Sequence, residues 1–361
     1  MSLVPLHETH LSLGAKMGPF GGWDMPIEYT SGTVAEHTAV RNAVGIFDVS
    51  HMGKVRILGN GAYAFANSVF TNDLNRIKPG QAQYSMLCNE AGGVIDDLIV
   101  YLVSDEEVRF IPNAGNASTV VAHLEKLAPN GVVIENNHLS QGIIAVQGPS
   151  AGKVVGALGL PTDHDYMAFA DAKWNDFAVS ICRTGYTGEP GYELVIENAG
   201  LVAIWAALLK AGTDLGILPC GLGARDTLRT EMGYVLHGQD INPEISPVQA
   251  KTGWAVGWNK PEFSGKAALT AEKAAGAKRV AWGLLATGRG IPRSHMQVKT
   301  ISGDVVGETT SGTFSPTLQK GIALALLSPD VALGDILLVD VRGRDLEVVV
   351  TKPPFVTTSP K

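Results

Sequence analysis

Hydrophobic and polar positions along the chain follow two periods, one typical of helices and one typical of strands. Apolar and alanine residues recur at helical spacing from Thr33 to Val44, and Gly45 ends that helix. The residues from Ile46 to Ile57 alternate, which predicts one continuous strand. Further helices are predicted at residues 61–69, around Val121 and Leu124, and at 151–158, 202–209, 221–232 and 265–275.

The strand-like runs fall into two groups, separated by an alanine- and lysine-rich linker at residues 273–278. Before the linker, strands are predicted at residues 82–89, 94–103, 108–112, 143–149 and 177–182, after a glycine- and proline-rich loop at 18–26. After the linker, strands are predicted at residues 280–285, 297–301, 307–310, 321–326, 337–341 and 346–350. Because strands and helices do not alternate regularly, we expect an α+β fold with a separate small β-barrel or sandwich.

Composition and charge favour a compact soluble enzyme. The net charge is −7 and no basic block occurs, so nucleic acid and anionic membranes are poor candidates for partners. Apolar residues make up 45% of the chain and charged residues 17%. No apolar run approaches the roughly 20 residues that a membrane span needs. The first residues contain no charged and apolar leader pattern, so we expect a cytoplasmic protein.

Metal and disulfide sites are not indicated. Cys88, Cys182 and Cys220 are widely spaced and form no Cys-x-x-Cys pair, so we expect core thiols. His7 and His10 could share one helical face, but a third ligand at suitable spacing is missing, which favours a structural role.

A nicotinamide or flavin site is not expected either. Residues 221–226 begin with Gly-x-Gly, but Asp226 stands where the third glycine of a dinucleotide fingerprint would be needed. His51 lies in the alternating run and could be a general base, although a hydrogen-bonded core histidine is the commoner interpretation.

Two aspartates, Asp96 and Asp97, stand between Gly92-Gly93 and an apolar strand-like run. If the run is a strand, alternation directs one aspartate to each face, so one of them points inward. An inward carboxylate costs several kcal/mol unless it is hydrogen-bonded or meets a cation, which suggests a structural partner or a ligand. The alternative is a glycine hairpin with both acids in solvent.

A second candidate site lies at residues 183–195, where glycines and tyrosines precede an apolar strand that contains Glu193. The glycines permit close backbone approach to a flat ligand, and a carboxylate suits bidentate recognition of an amidine-like edge such as that of a pterin. The alternative is that Glu193 faces water on an edge strand. Arg225, on the predicted helix 221–232, could hold an anionic group or form surface ion pairs.

Taken together and in order, six motifs make the chain resemble the T-protein family of the glycine cleavage system over nearly its whole length. These are residues 47–52 (FDVSHM), 92–98 (GGVIDDL), 147–149 (QGP), 183–189 (RTGYTGE), 221–226 (GLGARD) and 310–312 (TSG). The resemblance implies a three-domain cloverleaf around a central folate-binding channel, with a C-terminal β-barrel or jelly-roll-like domain. The implied domains are residues 1–50 plus 137–225, residues 51–136 plus 226–275 (ferredoxin-like), and residues 279–361.

The resemblance also implies roles for individual residues. Asp97 matches the family's catalytic carboxylate, and Glu193 and Arg225 match positions that contact folate. Further pocket lining is implied for Met52, Tyr84, Ile111, Tyr186, Trp254 and Arg293. One departure is that residues 357–361 contain no tyrosine, whereas some members have a folate-contacting tyrosine there.

The implied activity is tetrahydrofolate-dependent aminomethyl transfer from the lipoylated H-protein, giving 5,10-methylenetetrahydrofolate and ammonia. No metal and no nucleotide cofactor are implied. The P- and L-proteins would be functional partners, and we expect a monomer. One alternative is a folate-dependent demethylase acting on a small S- or N-methyl compound. Another is a non-enzymatic folate-binding protein of iron–sulfur maintenance, but its Lys-Gly-Cys-Tyr motif is replaced here by Arg183-Thr184-Gly185-Tyr186.

Overall fold

The computed structural model describes residues 1–360, which form three open sheets, a closed β-barrel and eight α-helices. The strands of the open sheets are β1 (Ser2–Leu3), β2 (Lys16–Phe20), β3 (Trp23–Glu28), β4 (Val44–Asp48), β5 (Val55–Leu58), β6 (Gln81–Cys88), β7 (Val94–Ser104), β8 (Glu107–Ile111), β9 (Val133–Asn136), β10 (Gln141–Gln147), β11 (Phe169–Trp174), β12 (Phe177–Cys182), β13 (Gly191–Glu197) and β14 (Ile217–Pro219). The barrel strands are β15 (Val280–Ala286), β16 (Gln297–Lys299), β17 (Val305–Ser315), β18 (Lys320–Leu327), β19 (Ile336–Asp340) and β20 (Asp345–Thr351). The helices are α1 (His7–Ser12), α2 (Thr33–Asn42), α3 (Ala62–Val69), α4 (Ala117–Leu127), α5 (Ala151–Gly156), α6 (Asn198–Ala211), α7 (Leu222–Met232) and α8 (Lys266–Ala275).

The six-stranded sheet has the order β11-β12-β13-β10-β4-β14. One face packs against α5 and α6 around a core that includes Ile144, Leu194 and Trp205. Strand β13 lies between β12 and β10, so it is an interior strand of this sheet. The other face is covered in part by α2 and α7, next to β4.

The five-stranded sheet has the order β6-β7-β8-β5-β9, and α3 and α4 pack on one face. Leu98, Val100 and Phe110 belong to the buried core on that face. The opposite face meets the six-stranded sheet, where Tyr101 of β7 and Cys182 of β12 share a small buried cluster. A cleft therefore lies between the two sheets, with one face of each turned toward it.

The barrel closes in the order β15-β18-β17-β16-β19-β20. All six predicted strands after the linker are present, so the predicted C-terminal β-barrel is confirmed. Apolar residues that alternate along the strands, such as Val298, Val339 and Val348, fill its interior. The chain is of the expected α+β class.

Two predictions about local structure are wrong. Residues 46–57 are not one strand, because β4 and β5 belong to different sheets and a turn at residues 49–54 separates them. The buried Lys54 ammonium stabilises that turn by donating to the carbonyl oxygens of Ser50 and Met52, each at 2.8 Å. The predicted loop at residues 18–26 contains most of the β2–β3 hairpin, whose turn uses Gly21 and Gly22 at positive φ.

The barrel is joined to the rest of the chain through α7. Glu231 at the end of α7 accepts hydrogen bonds from Ser315 Oγ (2.5 Å) and Thr317 Oγ1 (3.0 Å) of the barrel. Arg229, on the same helix, donates to Asp240 (2.8 Å) and to Ser311 of the barrel (2.9 Å). Both contacts are buried, so charged side chains fix the position of the barrel.

The domain boundaries stay a prediction. The strands of the six-stranded sheet come from residues 44–48 and 141–219, and those of the five-stranded sheet from residues 55–136. Buried residues of the segment 241–269, including Phe263 and Leu269, pack against Met86 and Val94 of the five-stranded sheet.

None of the helices in residues 1–360 combines the length and apolar character needed to cross a membrane.

Candidate functional site

Strand β7 turns its two aspartates to opposite faces. Asp96 points to the same side as Leu98, toward the helix-covered core, and is fully buried. Asp97 points to the same side as Ile99 and Tyr101, toward the cleft between the sheets, and is half-buried. The predicted split of the pair is therefore observed, and neither aspartate lies in the glycine turn.

The glycines before the pair allow a close approach of two chain segments. Gly92 has a φ of +87°, which favours glycine at the turn between β6 and β7. A side chain at Gly93 would collide with the carbonyl group of Pro243. Gly93 therefore lets the segment after α7 lie against the start of β7, close to the aspartates.

Asp97 is held by two uncharged donors. Tyr84 Oη donates to Asp97 Oδ2 at 3.0 Å, and Asn113 Nδ2 donates to Asp97 Oδ1 at 2.8 Å. Among residues 1–360, Asp97 forms no ion pair with a lysine, arginine or histidine within 4.0 Å. Burial raises the pKa of Asp97 above its ordinary value, against the opposing effects of His237 and these hydrogen bonds.

Glu193 faces Asp97's side of the cleft from the other sheet. It alternates with Val195 on β13, and both side chains are half-buried. Thr184 Oγ1 donates to Glu193 Oε2 at 2.5 Å, and the Tyr101 hydroxyl lies 3.3 Å from Thr184 Oγ1. Because β13 is an interior strand, the alternative of a solvated Glu193 on an edge strand is wrong.

Arg225 lies on α7, where its guanidinium carbon is 4.4 Å from the centre of the Tyr186 ring. The Tyr186 hydroxyl donates to the Val235 carbonyl oxygen at 2.5 Å, and its ring stacks on Tyr234. Arg225 makes no ion pair with a carboxylate within the described residues, and burial lowers its pKa. It is a half-buried cation with an aromatic neighbour and donors left for an anionic ligand.

The remaining predicted lining residues differ in position. Met52 follows β4 and Ile111 ends β8, and both are half-buried against the apolar cluster beneath the cleft. Trp254 is 65% exposed and stacks on Tyr84, with ring centres 5.3 Å apart. Arg293 is exposed on the barrel segment and donates to the Gly312 carbonyl oxygen at 3.4 Å; no hydrogen bond joins it to the other predicted residues.

Comparison with known proteins identifies the family. Residues 6–260 match the GCVT N-terminal domain, and residues 279–357 match the glycine cleavage T-protein C-terminal barrel domain. The chain belongs to the glycine cleavage T-protein family.

Individual T-proteins are similar over the full length. The chain is 58% identical over 358 residues to an aminomethyltransferase of Frankia alni, and the match covers 99% of this chain and 98% of that relative. It is 55% identical over 357 residues to the aminomethyltransferase of Mycolicibacterium paratuberculosis, and the match covers 98% of this chain and 96% of that relative. The crystal structure of glycine cleavage system aminomethyltransferase T from Bartonella henselae has a TM-score of 0.94 at 33% identity and covers 99% of each chain. The expected activity, aminomethyl transfer in the glycine cleavage system, is confirmed.

The T-protein fold brings together polar residues that the sequence did not single out as a site. Asn113, Thr184 and Tyr101 provide the hydrogen bonds around Asp97 and Glu193. Asn116 Nδ2 lies 2.8 Å from His237 Nδ1, next to Asp96. The motif Asn113-Ala114-Gly115-Asn116 after β8 was the available signal, because two asparagines there suit turn and side-chain hydrogen bonds.

His51 of this T-protein is buried next to the site. The expected burial of a core histidine is therefore observed, but the expected hydrogen bond is absent at Nδ1, which has no partner in the part of the chain that the structure describes. Burial, together with the charge of Arg225, lowers the pKa of His51 to about 3, so the ring is neutral at physiological pH. His10 is structural, as expected: its Nε2 bonds Asp48 at 2.8 Å and its Nδ1 bonds Tyr29 at 2.9 Å.

A cavity of about 300 Å³ lies between the two sheets, and Ile111 is the one predicted site residue that lines it. Its walls include Tyr101, Ile111 and Val195, which also belong to or pack against the cluster beneath the candidate site. The rim carries Arg109, which is paired with Asp171 at 3.0 Å. Within residues 1–360 no group of three or more histidine, cysteine, aspartate or glutamate side chains is arranged to hold a metal ion.

Proposed function

We propose that this aminomethyltransferase takes the aminomethyl group from the dihydrolipoyl arm of the lipoylated H-protein and transfers its methylene carbon to tetrahydrofolate. The products are 5,10-methylenetetrahydrofolate and ammonia. The observation that supports this proposal is Asp97, a carboxylate in the inter-sheet cleft with two neutral donors and no cation of its own. Such a carboxylate is available to a cationic reaction centre.

Asp97 is proposed as the catalytic residue. A carboxylate next to the folate nitrogens stabilises the developing iminium-like carbon and accepts a proton, a role worth roughly 10²–10⁴-fold in rate. Most of the remaining barrier reduction comes from holding two large reactants together, which can supply on the order of 7 kcal/mol. The Tyr84 and Asn113 hydrogen bonds fix the Asp97 carboxylate for this purpose.

Glu193 and Arg225 are proposed as folate-binding residues. Glu193 accepts a hydrogen bond from Thr184 at one oxygen, and both of its oxygens keep lone pairs for the paired N–H groups of a pterin. Arg225, which lacks a carboxylate partner in residues 1–360, suits an anionic group of folate. The proposed lining of the central channel is Met52, Tyr84, Ile111, Tyr186, Trp254 and Arg293.

The proposed setting follows from the activity. The partner is the lipoylated H-protein, with the P- and L-proteins acting in the same system, and the aminomethyltransferase is proposed to be a monomer. A cytoplasmic location is supported by Cys88, Cys182 and Cys220, which are all free thiols.

The proposed substrates are tested by incubating the purified protein with tetrahydrofolate and aminomethyl-loaded H-protein and measuring ammonia. We expect ammonia and methylenetetrahydrofolate in equal amounts, and neither product when the H-protein carries an unloaded arm. Release of a one-carbon unit from small S- or N-methyl compounds, without activity on loaded H-protein, would favour the demethylase instead.

The proposed role of Glu193 is tested separately by calorimetry of tetrahydrofolate binding. Glu193→Gln replaces one acceptor oxygen with an amide donor and removes the charge, so we expect about tenfold weaker binding. Glu135→Gln, on the edge strand β9, is the matched control and should bind folate as the wild type does. An unchanged dissociation constant for Glu193→Gln contradicts pterin recognition.

A further inference from the structure

Asp96 is a buried carboxylate that the proposed mechanism does not use. Its exposed fraction is 0%, and it receives hydrogen bonds from the Asn113 backbone N–H (2.9 Å), Asn113 Nδ2 (2.8 Å) and Asn116 Nδ2 (3.1 Å). No ion pair reaches it within the described residues. A carboxylate in this position is expensive to bury, so a core position occupied by Asp rather than by an apolar residue requires an explanation.

Asp96 and Asp97 share one donor. Asn113 Nδ2 lies 2.8 Å from an oxygen of each carboxylate and 3.0 Å from the Asp97 carbonyl oxygen. The Asn113 backbone N–H holds the other oxygen of Asp96, so the Asn113 side chain and main chain are both anchored by Asp96. Moving Asp96 would therefore move the donor that orients Asp97.

We propose that Asp96 is a positioning residue for Asp97: through Asn113, whose side-chain amide donates to both carboxylates, it fixes the Asp97 carboxylate, and the two carboxylates titrate as a coupled pair. This inference rests on the proposed role of Asp97 in the transfer reaction. Two like charges this close in a buried site oppose each other's ionisation, so the proton affinity of the site belongs to the pair.

The electrostatic surroundings are consistent with coupled ionisation of the two aspartates. Burial, and after it the charge of Asp97, raises the pKa of Asp96 to about 7, while its three hydrogen bonds act in the opposite direction. The titratable groups that face the pair are Tyr84 from β6, Tyr186 from the loop before β13, and His237 from the segment after α7. His237 Nε2 lies 3.1 Å from the Val94 carbonyl oxygen, which leaves its Nδ1 to accept from Asn116.

The test is the pH profile of ammonia release by the full-length protein with loaded H-protein and tetrahydrofolate. Asp96→Asn keeps the shape of the side chain and removes its charge, so Asp97 remains as the only carboxylate. We expect the midpoint of the acid limb to fall by at least about one pH unit. A residue that only supports the fold would lower turnover without moving that midpoint, so a midpoint within 0.3 pH units of the wild type overturns the inference.

Asn116→Ala is the matched variant, for which we expect the midpoint of the acid limb to shift in the opposite direction. It removes one donor from Asp96, together with the Asn116 contacts to the Ile95 carbonyl oxygen and His237, without contacting Asp97, and Asn116 makes no capping hydrogen bond at the start of α4. Loss of a hydrogen bond to the charged form raises proton affinity, so the midpoint should rise by about half a pH unit. This variant also tests the inference if Asp96→Asn does not fold, because an unmoved or lowered midpoint contradicts it.

A second measurement does not depend on activity. Infrared difference spectra of the wild type should show a protonated carboxyl band that disappears as the pH rises through neutrality, and this band should titrate at lower pH in both Asp96→Asn and Asp97→Asn. Persistence of the wild-type titration in either variant overturns the inference. If the wild type releases no ammonia from loaded H-protein, the proposed function fails, and the infrared result still decides whether the pair is coupled.

Discussion

Glu231 and Asp96 are both completely buried carboxylates, and their surroundings differ in one respect that matters. Glu231 lies at the joint between α7 and the barrel, where Arg41 approaches it at 2.7 Å and His37 at 3.4 Å. Asp97 lies at the cleft, with Asp96 buried behind it on the other face of β7, and amide and hydroxyl groups provide all the hydrogen bonds of the pair. Cations surround the structural carboxylate, and only neutral donors surround the pair at the candidate site.

The pKa values move in opposite directions as a result. Burial disfavours the charged form of Glu231, but His37, Ser315 and Arg41 outweigh burial and lower the pKa of Glu231 to about 2. Within residues 1–360 no lysine or arginine pairs with either aspartate, and burial, together with the charge of Asp97, raises the pKa of Asp96 to about 7. A paired buried charge contributes to stability, whereas an unpaired one costs stability and remains available for chemistry.

The largest expected change in stability is at Glu231. Glu231→Gln leaves Arg41 with Glu189 as its one carboxylate partner among the described residues and removes an acceptor oxygen from the barrel contact, so we expect a loss of about 2–3 kcal/mol in the free energy of unfolding. Urea denaturation followed by circular dichroism measures this loss.

Glu135→Gln is the control for that variant, since Glu135 pairs with Arg56 at 2.9 Å but its side chain is 41% exposed. We expect a change below about 1 kcal/mol. Equal effects of the two substitutions would show that burial and cationic partners do not distinguish the two carboxylates.

The two regions should also give opposite pH dependence of stability. Glu231 has a folded pKa of about 2 against 4.5 in the unfolded chain, so its contribution is present above pH 4.5 and is lost as the pH falls toward 2. Asp96 has a folded pKa of about 7 against 3.8, so the folded state keeps a proton that the unfolded state has released. Its contribution therefore declines as the pH rises from 3.8 to 7.

Denaturation midpoints measured between pH 3 and pH 8 test this contrast. Glu231→Gln should flatten the acid side of the profile, and Asp96→Asn should flatten the decline toward neutral pH. A decline toward neutral pH that is the same in Asp96→Asn and in the wild type would contradict the assignment to Asp96.

A smaller effect is expected at Tyr84. Tyr84→Phe removes one of the two donors to Asp97 but keeps the aromatic ring stacked against Trp254. We expect turnover to fall about tenfold, corresponding to roughly 1–2 kcal/mol for a hydrogen bond to a charged group, with a stability change of about 1 kcal/mol. Tyr63→Phe, which removes a hydrogen bond to Asn75 far from the cleft, should leave turnover unchanged. Equal turnover of Tyr84→Phe and the wild type would show that this hydrogen bond does not assist Asp97.

Alternation along a strand predicted that the two aspartates occupy opposite faces, but it could predict neither which of them faces the cleft nor their partners. Asp97 is held by Asn113, and Glu193 by Thr184, through contacts that form only when separate strands come together. Those tertiary contacts decide whether a buried carboxylate has a cationic partner, and they cannot be predicted from the local sequence.

The barrel and the 46–57 region show the same limit. The six barrel strands are bounded by glycine and proline turns, so local pattern was sufficient to predict them. The division of residues 46–57 depends on the Lys54 side chain, which binds the carbonyl oxygens of Ser50 and Met52. The alternating pattern of residues 46–57 therefore predicts one continuous strand, although a turn that Lys54 stabilises divides it.

The most direct test is to measure stability and turnover together in Asp97→Asn at pH 8. Asparagine can still accept from Tyr84, and it removes a buried charge that has no cation, so the free energy of unfolding should equal or exceed that of the wild type. Ammonia release from aminomethyl-loaded H-protein should fall by at least about 100-fold. Near-wild-type turnover, or a stability loss as large as that of Glu231→Gln, would contradict the view that this carboxylate is kept without a cation for catalysis.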